Sequence, residues 1–417
     1  MLNYTGTQNG ATILEIKHRD SCTGPKPGPA QNHQELLTSD DTRVQSIQSR
    51  IQNTLPVPAQ IPIIPGLNLQ TLNYIVTITL GGRSSTVILD TGSDLTWLQC
   101  HPCRLCHSQP EPLYDPSNSP TYEPVPCSSQ SCNSLLSATG SSGICPKNGG
   151  PTCNYAVTYG DGSYTRGDLA KDDLVLGSDK FPGFVFGCGR ENKGLFGSAS
   201  GLIGLGRSEL SLVSQTYGEF GGIFSYCLPD SLNSGSLILG NGTPFYKNTT
   251  PISYAGLVQN NPRFGSFYAL NLTGIRIGGV WIGLGDEVIV DSGTVVTRVK
   301  PSIYAGVRDE FVRQFSGYPR APGFSILDTC FDLSGFEEVS VPSLEMWFEG
   351  GGWMGVDVSG MFYFVKGDRS QVCLAIASLA YESEVGIIGN YQQRNLRVLY
   401  DTKEMRLGFA KETCIFS

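Results

Sequence analysis

Two short motifs carry the chemistry in this chain. They are Asp90-Thr91-Gly92-Ser93 and Asp291-Ser292-Gly293-Thr294, its only Asp-(Ser/Thr)-Gly triplets. Two carboxylates brought within ~3 Å of each other cannot both ionise, so they share a proton and titrate at separated values. The ionised member can take a proton from water as that water attacks a carbonyl, while the protonated member donates to the developing oxyanion. Such chemistry requires no metal, cofactor or covalent intermediate, and none is expected. Gly92 and Gly293 would let main chain approach the carboxylates, and the hydroxyls of Thr91, Ser93, Ser292 and Thr294 offer hydrogen bonds to hold them. The proton belongs to the pair and is assigned to neither Asp.

Such a pair needs rigid mounts, and each motif follows an apolar strand. Residues 74–80, Gly81-Gly82 and residues 85–89 read as a hairpin that runs into Asp90. Residues 266–272 and 275–277 lead through Gly278-Gly279 to residues 288–290 and Asp291. A second element also repeats, as Gly201-Leu-Ile-Gly-Leu-Gly206 and Gly386-Ile-Ile-Gly389. An apolar pair closed by glycine lets a buried strand pass close to a loop. Each half therefore reads as one copy of the same unit. Pro301 to Phe311 reads as a helix facing the core through Ile303, Val307 and Phe311.

The composition agrees. A chain of 417 residues exceeds one ordinary core, and 51 glycines, 25 prolines and only 16% charged residues point to many short strands joined by turns. The formal net charge is −8 and no basic run stands out, which argues against nucleic-acid and anionic-membrane partners. No apolar run is long enough for a membrane span. The first 65 residues differ in texture and end in the proline-rich Pro56 to Pro65, an extended linker. Before it, Ser39-Asp-Asp-Thr can cap a helix with Val44, Ile47 and Ile51 on one face, which suits a removable pro-segment. The expected division is 1–71 pro-segment and linker, 72–236 first lobe and 237–417 second lobe.

From about residue 72 to 414 the chain resembles the pepsin-like aspartic proteases, in particular the plant nepenthesin-like branch. Both Asp motifs, both apolar-apolar-Gly elements and the ending Tyr400-Asp-Thr-Lys-Glu-Met-Arg-Leu-Gly-Phe-Ala410 appear in family order. Ser292 stands where many relatives carry threonine. The resemblance implies a mainly β, bilobal fold preceded by a pro-segment, with Asp90 and Asp291 catalytic at the floor of the cleft. It implies that Thr91 and Ser292 cross-bond the two loops and that Ser93 and Thr294 bond the outer carboxylate oxygens. Tyr159-Gly160 would belong to a flap over the substrate, with Trp97 as partner of Tyr159. The implied activity is hydrolysis of internal peptide bonds by a zymogen-derived, monomeric enzyme sensitive to statine-type inhibitors. A pepsin-like binding or inhibitor protein without activity is the alternative.

Thirteen cysteines, twelve of them from Cys100 onward, suit an oxidising compartment. Sequence alone does not choose among their pairings. The resemblance implies Cys100 with Cys103, Cys106 with Cys188, Cys127 with Cys153, Cys132 with Cys145, Cys227 with Cys414 and Cys330 with Cys373. Zinc at Cys100-His101-Pro-Cys103-Arg-Leu-Cys106-His107 is the rival reading of the first cluster. Glycosylation candidates are Asn241, Asn248 and Asn271, besides Asn3. These features predict secretion to the apoplast, with vacuole or plastid as alternatives, although the first residues lack the pattern of a signal peptide.

Overall fold

The computed structural model describes residues 12–18, positions 34, 37, 38, 40, 41, 43–45, 47 and 48, and residues 73–414 apart from 147–150, 160–161, 178, 231–233, 243–245, 248, 284 and 366–369. Strands dominate, as the turn-rich composition predicts, and they form sheets of 14, 8 and 4 strands. The expected first hairpin is present as Tyr74–Leu80 and Arg83–Asp90, in register from Ile75 opposite Ile88 to Leu80 opposite Arg83. In the second half, one strand, Ala269–Ile277, runs through both stretches expected as separate, with a register shift between Leu272 and Gly274 where it pairs with Leu344–Phe348.

The duplicated unit is visible in the strand order. Arg83–Asp90 lies parallel to Gly201–Gly204, and Trp97–Gln99 returns antiparallel on the other side of it. Asp286–Val290 lies parallel to Gly386–Ile388 in the same way, with Thr297–Val299 antiparallel beyond. In each half the chain leaves a strand, makes the Asp loop and comes back with one apolar strand between. These inner strands are buried along their length, which accounts for runs such as Val288-Ile-Val290 that show no polar alternation.

The halves are not separate units. The 14-stranded sheet takes in Leu396–Asp401 and Arg406–Lys411 from the end of the chain, and Ser234–Leu239 straddles the expected boundary at 236 within it. Thr12–His18, a strand not expected from the sequence although Leu14 and Ile16 alternate with Glu15 and Lys17, is inserted in the same sheet between Ser234–Leu239 and Tyr74–Leu80. The helix Pro301–Gln314 buries Ile303, Val307 and Phe311 as its spacing predicts.

Four expected disulfides are corrected. Cys100 pairs with Cys188, Cys103 with Cys106, Cys127 with Cys145 and Cys132 with Cys153. Trp97–Gln99 runs parallel to Asp179–Lys193 with Leu98 opposite Cys188, and the Cys100 N–H bonds to Gly189, so Cys100 arrives beside Cys188. Cys103 and Cys106 are left together in a loop folded onto the carbonyl of Arg190. Burial sorts the other four. Cys132 and Cys153 share one apolar core with Val125, Leu135 and Tyr155, while Cys127 and Cys145 lie nearer the surface. Cys227–Cys414 and Cys330–Cys373 form as expected, the latter across paired strands. With Cys100, Cys103 and Cys106 all in disulfides, the zinc reading of that cluster is overturned.

Candidate active site

Asp90 ends the strand Arg83–Asp90 and Asp291 directly follows Asp286–Val290, and both carboxylates are buried. Their surroundings are near mirror images. Gly92 N–H donates to Asp90 Oδ1 at 2.9 Å, and Gly293 N–H donates to Asp291 Oδ1 at 2.9 Å. Ser93 Oγ donates to Asp90 Oδ2, and Thr294 Oγ1 donates to Asp291 Oδ2 at 2.5 Å. A Cβ on Gly92 would fall 2.6 Å from Asp291 Oδ1, and one on Gly293 would fall 2.4 Å from Asp90 Oδ1. Only glycine permits each loop to come so close to the opposite carboxylate.

The loops are tied across the cleft floor. Thr91 N–H donates to Ser292 Oγ at 3.1 Å, and Ser292 N–H donates to Thr91 Oγ1 at 2.9 Å. The two hydroxyls continue into the opposite strands, Thr91 Oγ1 to the Val290 carbonyl at 3.4 Å and Ser292 Oγ to the Leu89 carbonyl at 3.1 Å. Serine in place of threonine at 292 keeps every one of these bonds. The apolar-apolar-Gly elements brace the loops from below: a Cβ on Gly204 would meet the Asp94 carbonyl at 2.2 Å, and one on Gly389 the Val295 carbonyl at 2.5 Å.

Tyr159 follows the strand Asn154–Thr158 and closes a turn by donating its N–H to the Ser163 carbonyl. Trp97 Nε1 donates to the Tyr159 hydroxyl at 2.8 Å, the pairing expected from sequence. Phe196, which the sequence did not single out, stands edge-on to both rings at centroid distances of 4.8 and 5.6 Å. Gly160 and Asn248 lie outside the described residues.

The residue that sequence reasoning missed most clearly is Arg43. Its Nη2 lies 2.7 Å from Asp90 Oδ1 and 3.1 Å from Asp291 Oδ2, and its Nε donates to Asp291 Oδ2 at 3.2 Å and to Thr294 Oγ1 at 3.3 Å. The described positions from 34 to 48 are helical on both sides of Ser39, the expected cap, which lies outside the described residues, as does Ile51. Leu37 seats among Val295, Val296, Tyr363 and Tyr391; Val44 and Ile47 seat among Phe264, Phe267, Ile289 and Ile387. Gln48 exchanges two hydrogen bonds with the main chain of Val385. Asp40 accepts from the N–H groups of Val295 and Val296.

Charge settles unequally over this site. Burial pushes Asp90 up and the neighbouring Asp291 charge adds to that, against the pull of Arg43, so Asp90 lies above the usual carboxylate range. At Asp291 the same burial is outweighed by the Arg43 guanidinium, Thr294 and the Gly293 N–H, and its carboxyl lies below that range. Burial disfavours the Arg43 charge, yet the two carboxylates hold it firmly protonated. Behind the second loop, Asn390 Nδ2 donates to the Ser292 carbonyl and Gln393 Nε2 to the carbonyls of Ile388 and Asp291. These amides sit just past Gly389, in a stretch for which only the glycines were read as signal.

Residues 74–241 match the family model described as Xylanase inhibitor N-terminal, and residues 267–411 match Xylanase inhibitor C-terminal. An aspartyl protease family protein of Arabidopsis thaliana is 42% identical over 96% of this chain and 87% of its own length. Aspartic proteinase nepenthesin-1 of Nepenthes gracilis is 33% identical over 82% of this chain and 78% of its own. Among solved structures, basic 7S globulin from soybean has the same fold, with a TM-score of 0.67 over 97% of both chains at 16% identity.

Proposed function

This chain belongs to the pepsin-like aspartyl protease family of plants, and we propose that it is an aspartic-type endopeptidase made as a self-blocked zymogen and active at acid pH. The observation that carries the catalytic reading is the mirrored carboxylate site, in which Asp90 and Asp291 each hold two local donors while Thr91 and Ser292 lock the loops together. Once Arg43 leaves, a water held between the carboxylates loses a proton to the ionised member as it attacks the peptide carbonyl. The protonated member donates to the carbonyl oxygen, giving a gem-diol; as the C–N bond then breaks, the proton taken from water passes to the leaving amine and one diol hydroxyl returns its proton to the other carboxylate. The flap pair Trp97–Tyr159 would close over the substrate and exclude bulk water.

The zymogen reading rests on Arg43, whose contacts with both carboxylates would keep that water and the scissile carbonyl out. Charge is not the main hold. Leu37, Val44 and Ile47 are almost fully buried, and at ~1.5–3 kcal/mol each their sum matches or exceeds the ~3–5 kcal/mol of breaking a buried ion pair such as those Arg43 makes with Asp90 and Asp291. Loss of the segment through proteolysis, following acid loosening of Arg43, is therefore the activating event.

The test is hydrolysis of a denatured protein by the acid-treated full chain. We expect turnover blocked by a statine-type inhibitor and abolished in Asp90→Asn and Asp291→Asn; unchanged turnover in either variant overturns the mechanism. A second reading, a non-catalytic inhibitor protein, is favoured by the wording of the matched family models, and inactivity of the processed wild-type protein would select it. We further propose secretion to the apoplast, with vacuole or plastid as alternatives. Six disulfides support an oxidising compartment, and of the glycan candidates Asn241 is exposed outside the strands whereas Asn271 lies on one.

A further inference from the structure

Beside the catalytic carboxylates the cleft wall holds a second charged site. The N–H groups of Val295 and Val296 and Nη2 of Arg298 converge on the carboxylate of Asp40, at 2.5, 3.0 and 3.1 Å. Arg298 is fully buried, and its Nη1 donates to the Val296 carbonyl. Among the described residues its Nε has no hydrogen-bond partner, and its carboxylate neighbours are Asp40 and, at 3.7 Å, Asp41. Both acids belong to the segment that carries Arg43. When that segment leaves, a desolvated guanidinium and two aligned N–H groups lose their acceptor together. An uncompensated buried charge is costly, and a planar guanidinium beside two main-chain donors matches the shape of a carboxylate.

Resting on the endopeptidase reading above, we infer that Arg298, with the N–H groups of Val295 and Val296, is a specificity site that takes an acidic side chain of the substrate near the cut bond. The distance follows from the helix. Asp40 precedes Arg43 by three residues, a rise of ~4.5 Å, which an extended peptide covers in about one to two residues. A cleft lined only by apolar seats would favour apolar side chains throughout. This site adds one Asp or Glu within two residues of the scissile bond, and the segment 34–48 occupies it in advance with Asp40.

The experiment uses the full chain converted at acid pH and then assayed at about pH 5, where a free Glu is mostly ionised. Matched peptides differ only in Glu or Gln at each of the two positions on either side of the cut. At one position kcat/KM for Glu exceeds that for Gln about tenfold or more, as expected for a charged hydrogen-bonded contact, and in Arg298→Gln the ratio falls to about one. Because a buried arginine can also support folding, a second measurement leaves the enzyme unchanged. A synthetic peptide of residues 34–48 inhibits, and its Asp40→Asn form inhibits about tenfold more weakly. Equal cleavage of Glu and Gln peptides, or equal inhibition by the two segments, overturns the inference and leaves the endopeptidase reading standing. If no peptide is cut, that reading fails instead, and calorimetric binding of the two segment peptides decides the carboxylate site: weaker binding of the Asn form supports it, equal binding overturns it.

Discussion

Thr91 and Ser292 each accept a hydrogen bond from the main-chain N–H of the other, and each hydroxyl donates onward to the strand beneath the opposite motif. The two halves of the site are therefore held by reciprocal bonds rather than by packing alone. Ser292→Ala leaves the buried Thr91 N–H without its acceptor, a loss of about 1–3 kcal/mol. The expected result is a lower Tm together with reduced kcat, whereas Ser292→Thr retains both. Thermal melts and turnover on the same preparations check this; an unaltered Tm in Ser292→Ala would sink it.

In the zymogen reading, Arg43 is the charged element of the block. In Arg43→Met the apolar seats of Leu37, Val44 and Ile47 remain but nothing neutralises the carboxylates, so the unprocessed chain opens more readily. Turnover before any cleavage should rise at least about tenfold over wild type, equivalent to ~1.4 kcal/mol of lost hold. The check is an assay of intact chain, verified by gel, with no proteolysis. Equal latency in the two proteins counts against the zymogen reading.

Acid should release this contact in a set order. Asp90 has a raised value while Arg43 is docked, so it takes its proton above the ordinary 3.8, and that uptake favours the docked state. Asp40 is also raised, by burial first and against Arg298, so acid does not weaken its seat. Asp291 is the opposite case. Its docked value is depressed, so the hold it contributes is complete above 3.8 and is lost as pH falls through the depressed value. Binding of a statine-type inhibitor to intact chain should be excluded at about pH 5 and admitted only below 3.8, where the share of the hold that Asp291 contributes is lost. Full inhibitor binding at pH 6 would contradict the assignment to Asp291.

The flap pair makes a separate prediction. Trp97→Phe keeps an aromatic ring against Phe196 but removes the donor to the Tyr159 hydroxyl. A net hydrogen bond of about 1 kcal/mol corresponds to roughly fivefold in kcat/KM. Tyr159→Phe should lose a similar amount, and the double variant little more, since both remove one bond. Additive losses would show that the bond is not what the two residues share.

What was legible in the sequence was whatever depended on local residue types. The hairpin before Asp90, the helix buried through Val307 and the duplicated glycine elements follow from alternation, spacing and turn chemistry. The hydroxyl roles at Ser93 and Thr294 were legible too, because each acts within three residues of its Asp. Long-range selections were not. Cys132 chooses Cys153 over Cys145 because both are buried in one core, a fact that no spacing encodes. Arg43 gave no signal since its partners lie 47 and 248 residues away, and a lone arginine on a helix usually faces solvent.

Thr12–His18 has a neighbour on each side within the large sheet, paired from Thr12 to Lys17 with Leu239 to Ser234 and from Ile16 to His18 with Val76 to Tyr74. A peptide bond broken between this strand and the Arg43 helix would not set the strand free. The cut protein should run as one species on a native gel and as two under reducing, denaturing conditions. Unmasking of the cleft and departure of the N-terminal peptide are then distinct events, and the nicked form is a heterodimer cut from one gene product.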